Sequence, residues 1–325
     1  MIYIENNTFG HYTGYGRFAS YIVKYMDAYP VHSVQLQATK LIKDIQGIYD
    51  SIPVLSILTP MYLKPIPNPR ILYTMTEGSD VPKQWIDIIN SSNIKQIIVP
   101  CEWNKIAFQL AFPSIPIDVV HGGTEPSEFP VIEKVDNDIY TFLAFADRGD
   151  RKGWIQVWES FWDKFEDKPA KLVIKYRKSG NTTLLNSLAS MDFGGKIEFI
   201  STDLDNMHEL YKTVDCVVIP SHSEGWGMIM REASCSGLPV ITTKYSGMDD
   251  GNIEQWAYPI YNFIEVDVPF DENLAGRCSL PDTKELSDKM LYMYENRPDG
   301  IGADWIRNNQ TWKHCVNNLE QVLNV

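Results

Sequence analysis

Two carboxylates, Glu224 and Glu232, stand eight residues apart in the stretch SHSEGWGMIMREASCSGLPVITT, residues 221–243. At about 3.6 residues per helical turn this spacing is a little over two turns, so both can face one cleft. An ionised carboxylate accepts two hydrogen bonds and suits a ligand with paired hydroxyls, such as a ribose or a hexose. Gly225 and Gly227 let the backbone approach a ligand closely and aim N–H groups at it. Alone, the spacing is common by chance and reads better as a helix with two solvated glutamates. A second cluster changes the balance. In DRGDRKG, residues 147–153, Arg148 and Lys152 are two cations, with Arg151 as a substitute for either. Cations in a strand-to-helix loop, near the amides of a helix N-terminus, form a phosphate site.

The flanking residues supply the elements that would position these groups. VDCVVIP (214–220) is a short apolar run ending in proline and reads as a buried parallel strand. GLPVITT (237–243) reads the same way, and the segment from Gly227 to Ser236 between them reads as a helix. TFLAFA (141–146), KLVIKY (171–176) and IEFI (197–200) are further strands, with a helix over 155–165 after the cationic loop. The first half repeats the alternation. Strands are expected at 1–5, 33–37, 54–58, 71–75, 95–99 and 117–121, and helices at 18–28, 82–91 and 102–111. Such alternation predicts parallel sheets with right-handed crossovers, whose ligands sit at the carboxyl ends of strands. The glycine-rich loop 6–17, NNTFGHYTGYGR, could cradle a phosphate, but it is not G-x-G-x-x-G and no dinucleotide fingerprint is present. Glu77, at a strand end, is a candidate to hold a hydroxyl. Asp80 is expected to cap the helix that Pro82 opens, and Asp203-Leu204-Asp205 to cap a helix over 206–213. A last helix over 303–325 carries Trp305, Trp312, Val316, Leu319 and Leu323 on one face.

The chain has 325 residues, 44% of them hydrophobic and 12% aromatic, enough for two packed domains. No apolar run is long enough for a membrane span and no signal peptide is evident, so a cytoplasmic protein is expected, with peripheral membrane contact left open. Five widely spaced cysteines are odd in number and read as buried small hydrophobes in a reducing compartment, not as a disulfide frame or a zinc site. Net charge is −13, yet residues 1–124 carry nine charges of each sign, so the excess falls on the second half. This argues weakly against a polyanionic partner.

Glu224-Gly225-Trp226-Gly227, then Glu232-Ala233, then Ser236-Gly237-Leu238-Pro239-Val240-Ile241 resemble the nucleotide-sugar site of family-4 retaining glycosyltransferases. The resemblance implies an α/β GT-B fold of two Rossmann-like domains whose parallel sheets face a central cleft. Residues 1–124 would form the acceptor-binding domain, 125–302 the nucleotide-sugar domain, and 303–325 a helix crossing back to the first. It implies that Glu232 holds the ribose hydroxyls, that Glu224 contacts the donor sugar, and that Trp226 and the amides around Gly227 and Met228 belong to the same site. Arg148 and Lys152 match the Arg and Lys that neutralise the leaving diphosphate. Ser201-Thr202 stand where relatives read the base with backbone groups. Thr13-Gly14-Tyr15-Gly16-Arg17 resembles the early G-G-[IV]-[GA]-R turn and places Gly14 and Gly16 near the donor phosphates and the acceptor. Tyr15, Arg17, Glu77 and His121 are the acceptor-side candidates. Gly247 and Asp249 resemble the closing G-x-x-[DE] turn. The implied activity is transfer of a sugar from a UDP- or GDP-linked donor to the hydroxyl of a glycan or glycoconjugate, with retention, and with no metal or cofactor. Two alternatives stand beside it. One is transfer to hydroxymethylated bases of viral DNA, using a groove built from Tyr12, Tyr15, Arg17, Lys64 and Arg70. The other is an inactive sugar-nucleotide-binding partner protein.

Overall fold

The structure is a computed structural model that describes residues 2–9, 13–31, 52–66, 68–134, 137–146, 149–177, 183–204, 206–268 and 274–324. The expected strand at 33–37, together with Tyr12, Asp147, Arg148 and Asp205, lies outside the described residues. The chain divides into two compact units. The first comprises residues 1–123, 273–276 and 310–325; the second comprises 124–272 and 277–309.

In the first unit, β1 (Tyr3–Glu5), β2 (Tyr29–Val31), β3 (Val54–Ile57), β4 (Arg70–Tyr73), β5 (Ile94–Val99) and β6 (Ile117–Val119) form one sheet in the order β2-β1-β3-β4-β5-β6, all parallel. Helices α1 (Gly14–Tyr25), α2 (Lys83–Asn90) and α3 (Glu102–Ala111) make the crossovers. Leu72, Ile97 and Phe108 are fully buried at the centre of one core cluster. Helix α1 begins four residues before the expected start. The Thr13 hydroxyl accepts from Gly16 N at 2.9 Å and caps it, so Gly14 to Arg17 are its first turn and not an open loop.

In the second unit, β7 (Tyr140–Ala146), β8 (Ala170–Tyr176), β9 (Ile197–Ile200), β10 (Cys216–Ile219), β11 (Val240–Thr243) and β12 (Tyr258–Ile260) form a second parallel sheet in the order β12-β11-β10-β7-β8-β9. Covered on both faces, its central strands are nearly all apolar, as YTFLAFA and CVVI show. Its helices are α4 (Trp154–Phe165), α5 (Thr183–Ala189), α6 (Met207–Tyr211) and α7 (Met228–Cys235). An antiparallel hairpin of β13 (Phe263–Asp267) and β14 (Arg277–Pro281), absent from the sequence reading, follows the sheet. It leads to α8 (Thr283–Asn296), which packs on α4. The order reverses between β7 and β10. The carboxyl ends of those two strands are the switch point where an open α/β sheet takes its ligand.

Three local expectations are corrected. Asp80 does not cap α2: the cap position is Pro82, which lacks an N–H, and Asp80 instead bridges through its backbone to Ala275 O at 3.2 Å. Helix α6 is capped by Asn206, whose side chain accepts from His208 N at 2.9 Å, while Asp203 is exposed. The final helix is two helices, α9 (Ala303–Asn309) and α10 (Trp312–Leu323). Thr311 and His314 form a capping box that starts the second one. In α10, Trp312 stacks on Tyr21 at 4.8 Å and meets Phe18 edge-on at 4.6 Å.

Candidate active site

The turn after β7 meets the turn after β10. Asp150 ties the turn to the start of α4, whose N-cap is Gly153: its carboxylate accepts from Ile155 N at 3.1 Å, and its carbonyl accepts from Gly153 N at 2.7 Å. Gly153 is left-handed (φ 71°), and a Cβ there would lie 2.3 Å from the Pro220 carbonyl oxygen. Only glycine permits the two turns to approach so closely. Arg151 then joins them twice. Its carbonyl accepts from His222 N at 2.8 Å, and its Nη1 donates to Ser223 O at 2.7 Å.

Glu224 is the centre of this junction. It is 5% exposed, and its carboxylate receives Arg151 Nη1 at 3.2 Å, Lys152 Nζ, and the Ser221 hydroxyl at 2.8 Å. Burial pushes its carboxyl up, but the charges of Arg151 and Lys152 and the hydrogen bonds from Lys152 and Ser221 outweigh that, bringing it down to about 2. Its backbone is held as well: Glu224 N donates to the Ser246 hydroxyl at 2.9 Å, and Gly247 N donates to Glu224 O at 3.0 Å. A Cβ on Gly247 would sit 2.2 Å from Gly225 O, so the 246–248 turn lies directly on the glutamate loop. His222, beside it, contacts Gln156 Oε1 at 3.3 Å; burial and the nearby Arg151 lower its imidazole to about 4 and keep it neutral at neutral pH.

Gly227 (φ 79°) is the left-handed cap from which α7 starts. Met228 is the first residue of α7, and Glu232 lies one turn further on, 3% exposed. Trp226 is 2% exposed and turns inward, its ring 3.7 Å from the guanidinium of Arg231. It shapes the loop from beneath. Ser201 is half-buried and Thr202 exposed at the carboxyl end of β9. In the closing turn Asp249 is half-buried, and Asp250, the third residue after Gly247 and so the one that G-x-x-[DE] spacing selects, has a buried side chain that pairs with Arg231 at 2.9 Å. The sequence reading also missed Arg231, Ser221 and Ser246.

In the first unit, Tyr15 and Glu77 come within electrostatic reach of each other. The Tyr15 hydroxyl is spent on the end of β4, at 3.1 Å from both Thr74 Oγ1 and Met75 N. Burial raises its phenol to about 12 against the opposing effect of those bonds. The Gly16 amide is used by Thr13, and a Cβ on Gly16 would meet Thr8 O at 1.9 Å, so packing alone demands that glycine. Gly14 is exposed, and Arg17 and His121 are half-buried. Arg70 is removed from the surface groove expected of it. It is fully buried, paired with Glu5 at 2.9 Å, and donates to Lys64 O at 2.8 Å, while Lys64 itself is exposed.

Residues 129–255, which take in β7 to β11 and end just before β12, match the family described as glycosyl transferases group 1. The match covers well under half of the chain. It contains Arg151, Lys152, Glu224, Arg231 and Glu232, and hence the whole junction described above. The chain is 25% identical over 164 residues to an uncharacterized glycosyltransferase of Methanocaldococcus jannaschii, covering 45% of this chain and 42% of that protein. It is 30% identical over 66 residues to a D-inositol 3-phosphate glycosyltransferase of Mycolicibacterium vanbaalenii, covering 20% of this chain and 15% of that protein. The matches thus span less than half of either curated relative. The fold is similar to that of Anabaena HepE in complex with UDP (TM-score 0.71, 12% identity, 99% of each chain). It is equally similar to sucrose-phosphate synthase from Thermosynechococcus elongatus (TM-score 0.71, 12% identity, 99% of this chain and 98% of that one). The two parallel-sheet units make this the GT-B fold. Among the described residues, no helix is long and apolar enough to cross a membrane, and no cluster of three or more His, Cys, Asp or Glu could hold a metal.

Proposed function

We propose that this chain transfers a sugar from a UDP- or GDP-linked donor to an acceptor hydroxyl of a glycan or glycoconjugate, with retention. One observation carries the reading: a buried carboxylate, Glu224, held by Arg151 and Lys152 at the switch point between β7 and β10. A pair of buried cations at a strand end, beside the start of α4, is chemistry for a diphosphate. A carboxyl held this far below its ordinary range is a poor proton carrier and a good acceptor from sugar hydroxyls. In this reading Glu224 grips the donor sugar, Glu232 the ribose, and Lys152 and Arg148 the charge that grows on the departing diphosphate. Arg151 stands ready in the same place, because it already shares Glu224 with Lys152. The bond from the anomeric carbon to the phosphate oxygen breaks, and a bond to the acceptor oxygen forms on the same face. The acceptor proton passes to the departing phosphate oxygen. The cations take the role a metal would have, so the reaction proceeds without one. A cytoplasmic setting is supported by the five cysteines, all free and buried.

The test is a panel of nucleotide sugars and free nucleoside diphosphates screened by thermal shift, followed by a donor-hydrolysis assay in chelator. A ligand at 100 times its Kd stabilises the fold by about 2.7 kcal/mol. A cognate donor that raises Tm and is hydrolysed supports transfer. A donor that binds and is never turned over returns the chain to a sugar-nucleotide binder, and the absence of any binding removes the donor site.

A further inference from the structure

Arg231 precedes Glu232 on α7 and is fully buried. Helical side chains lean toward the N-terminus, and Arg231 reaches back over the start of its own helix. Its guanidinium lies 3.7 Å from the Trp226 ring and 4.6 Å from the Trp256 ring. Nη2 pairs with Asp250 at 2.9 Å and donates to Gly247 O at 3.2 Å. Nη1 donates to Trp226 O and, at 3.4 Å, to Gly227 O. A cation at the start of a helix opposes the helix dipole, and a buried charge is costly even when paired. Stability of α7 alone does not account for it.

What the arginine does provide is carbonyl orientation. The peptide group is planar and trans, so a carbonyl turned toward one side sends the next residue's N–H to the opposite side. Because Trp226 O and Gly227 O face Arg231, the amides of Gly227 and Met228 face away from it. Gly227 itself is free to adopt either hand of backbone, so its peptide planes need an external restraint. We propose that Arg231 is a positioning residue: without touching the ligand, it presets the Gly227 and Met228 amides as donors to the diphosphate–sugar end of the nucleotide sugar. This rests on the donor-site reading above. Presetting lowers the ordering cost of binding and confines the effect to the anionic end of the ligand.

The experiment compares UDP and GDP with UMP and GMP by calorimetry on wild type, Arg231→Lys and Asp250→Asn, with circular dichroism and Tm as folding controls. Lysine keeps the charge but lacks the planar fork that holds several carbonyls at once. A weakened hydrogen bond to a charged group corresponds to a loss on the order of tenfold to a hundredfold. The expected result is that loss for the preferred diphosphate, with the matching monophosphate changed by less than about threefold and the donor KM raised. Equal losses for both nucleotides, or no loss, in folded Arg231→Lys overturn the proposal. If that variant does not fold, the same comparison in Asp250→Asn decides. Wild type that binds no nucleotide overturns the donor-site reading itself, and the inference with it, which separates the two failures.

Discussion

Replacing Glu224 by glutamine separates what the carboxylate does for the fold from what it does for a ligand. The variant keeps the volume and a partner for Ser221 but removes the charge between Arg151 and Lys152, which remain buried at 4% and 6% exposure. Removing one partner of a buried pair costs about 3–5 kcal/mol because it strands the other charge. The fall of the Glu224 carboxyl from its ordinary 4.5 to about 2, driven by Arg151 and Lys152 against burial, points the same way, on the order of 3 kcal/mol, the lower end of that range. In a unit of about 180 residues, 1 kcal/mol moves Tm by about 2–4 °C, so Glu224→Gln should lower Tm by about 6–12 °C at pH 7. The pH dependence has a definite sign. A carboxyl whose folded value lies below its unfolded one stabilises fully above the unfolded value and loses that contribution as pH falls through the folded one. The gap between wild type and variant should therefore be complete above about pH 5 and close as pH drops toward about 2. Thermal melts at a series of pH values read it. A gap below about 2 °C at pH 7, or one that widens in acid, refutes the reasoning.

The same variant tests the ligand. With Glu224 neutral, a nucleoside diphosphate can supply the negative charge that Arg151 and Lys152 have lost. Added UDP or GDP should raise the Tm of Glu224→Gln by more degrees than that of wild type, while donor turnover falls. If the diphosphate rescues the variant no better than wild type, the two cations are not its ligands.

Three further outcomes follow from single contacts. Lys152→Ala should cut turnover by about 10²–10³-fold in a protein that still folds, as measured by initial rates on the cognate donor; a near-normal rate removes the phosphate role. Glu232→Ala should weaken nucleotide binding by about tenfold or more in calorimetry, and an unchanged affinity contradicts its grip on the ribose. Gly247→Ala places a methyl 2.2 Å from Gly225 O and 2.7 Å from Glu224 O, backbone atoms that cannot swing aside, so denaturant unfolding should show a loss of about 2 kcal/mol or more. A Cm equal to that of wild type would mean that the turn is not seated on the loop.

How much of this was legible in the sequence depended on how local the cause was. Strands such as TFLAFA and KLVIKY are apolar because both faces of a parallel sheet are covered, and they form within one residue of the expected bounds. Helix α3 occupies the expected range of 102–111. Local rules gave a wrong answer where two of them competed. At Asp80 the sequence offers an acidic cap before Pro82, but a strand bridge to Ala275, nearly 200 residues away, takes the backbone instead. At residues 203–206 three polar side chains could cap α6, and Asn206 is the one whose oxygen reaches His208 N. The break between α9 and α10 was hidden because apolar periodicity continues across it; Thr311 and His314, which make the capping box, were the available signal.

The site shows a deeper limit. Glu224 and Lys152 were both readable as chemistry, but as ligands for a sugar and a phosphate rather than as partners of each other. Their pairing depends on Gly153 lying against Pro220 and on Arg151 linking the two turns, contacts between segments about 70 residues apart. Arg231 is more hidden still. Nothing in MIMREASC says that its side chain turns inward, because the reason is a ring of carbonyls assembled from residues 226, 227 and 247. A motif fixes which residue types are present, whereas the direction of a peptide N–H is fixed by what holds the carbonyl on its other side. On the proposal above, the amides offered to a diphosphate are set by an arginine that the motif does not name, and a search confined to motif positions would pass over it.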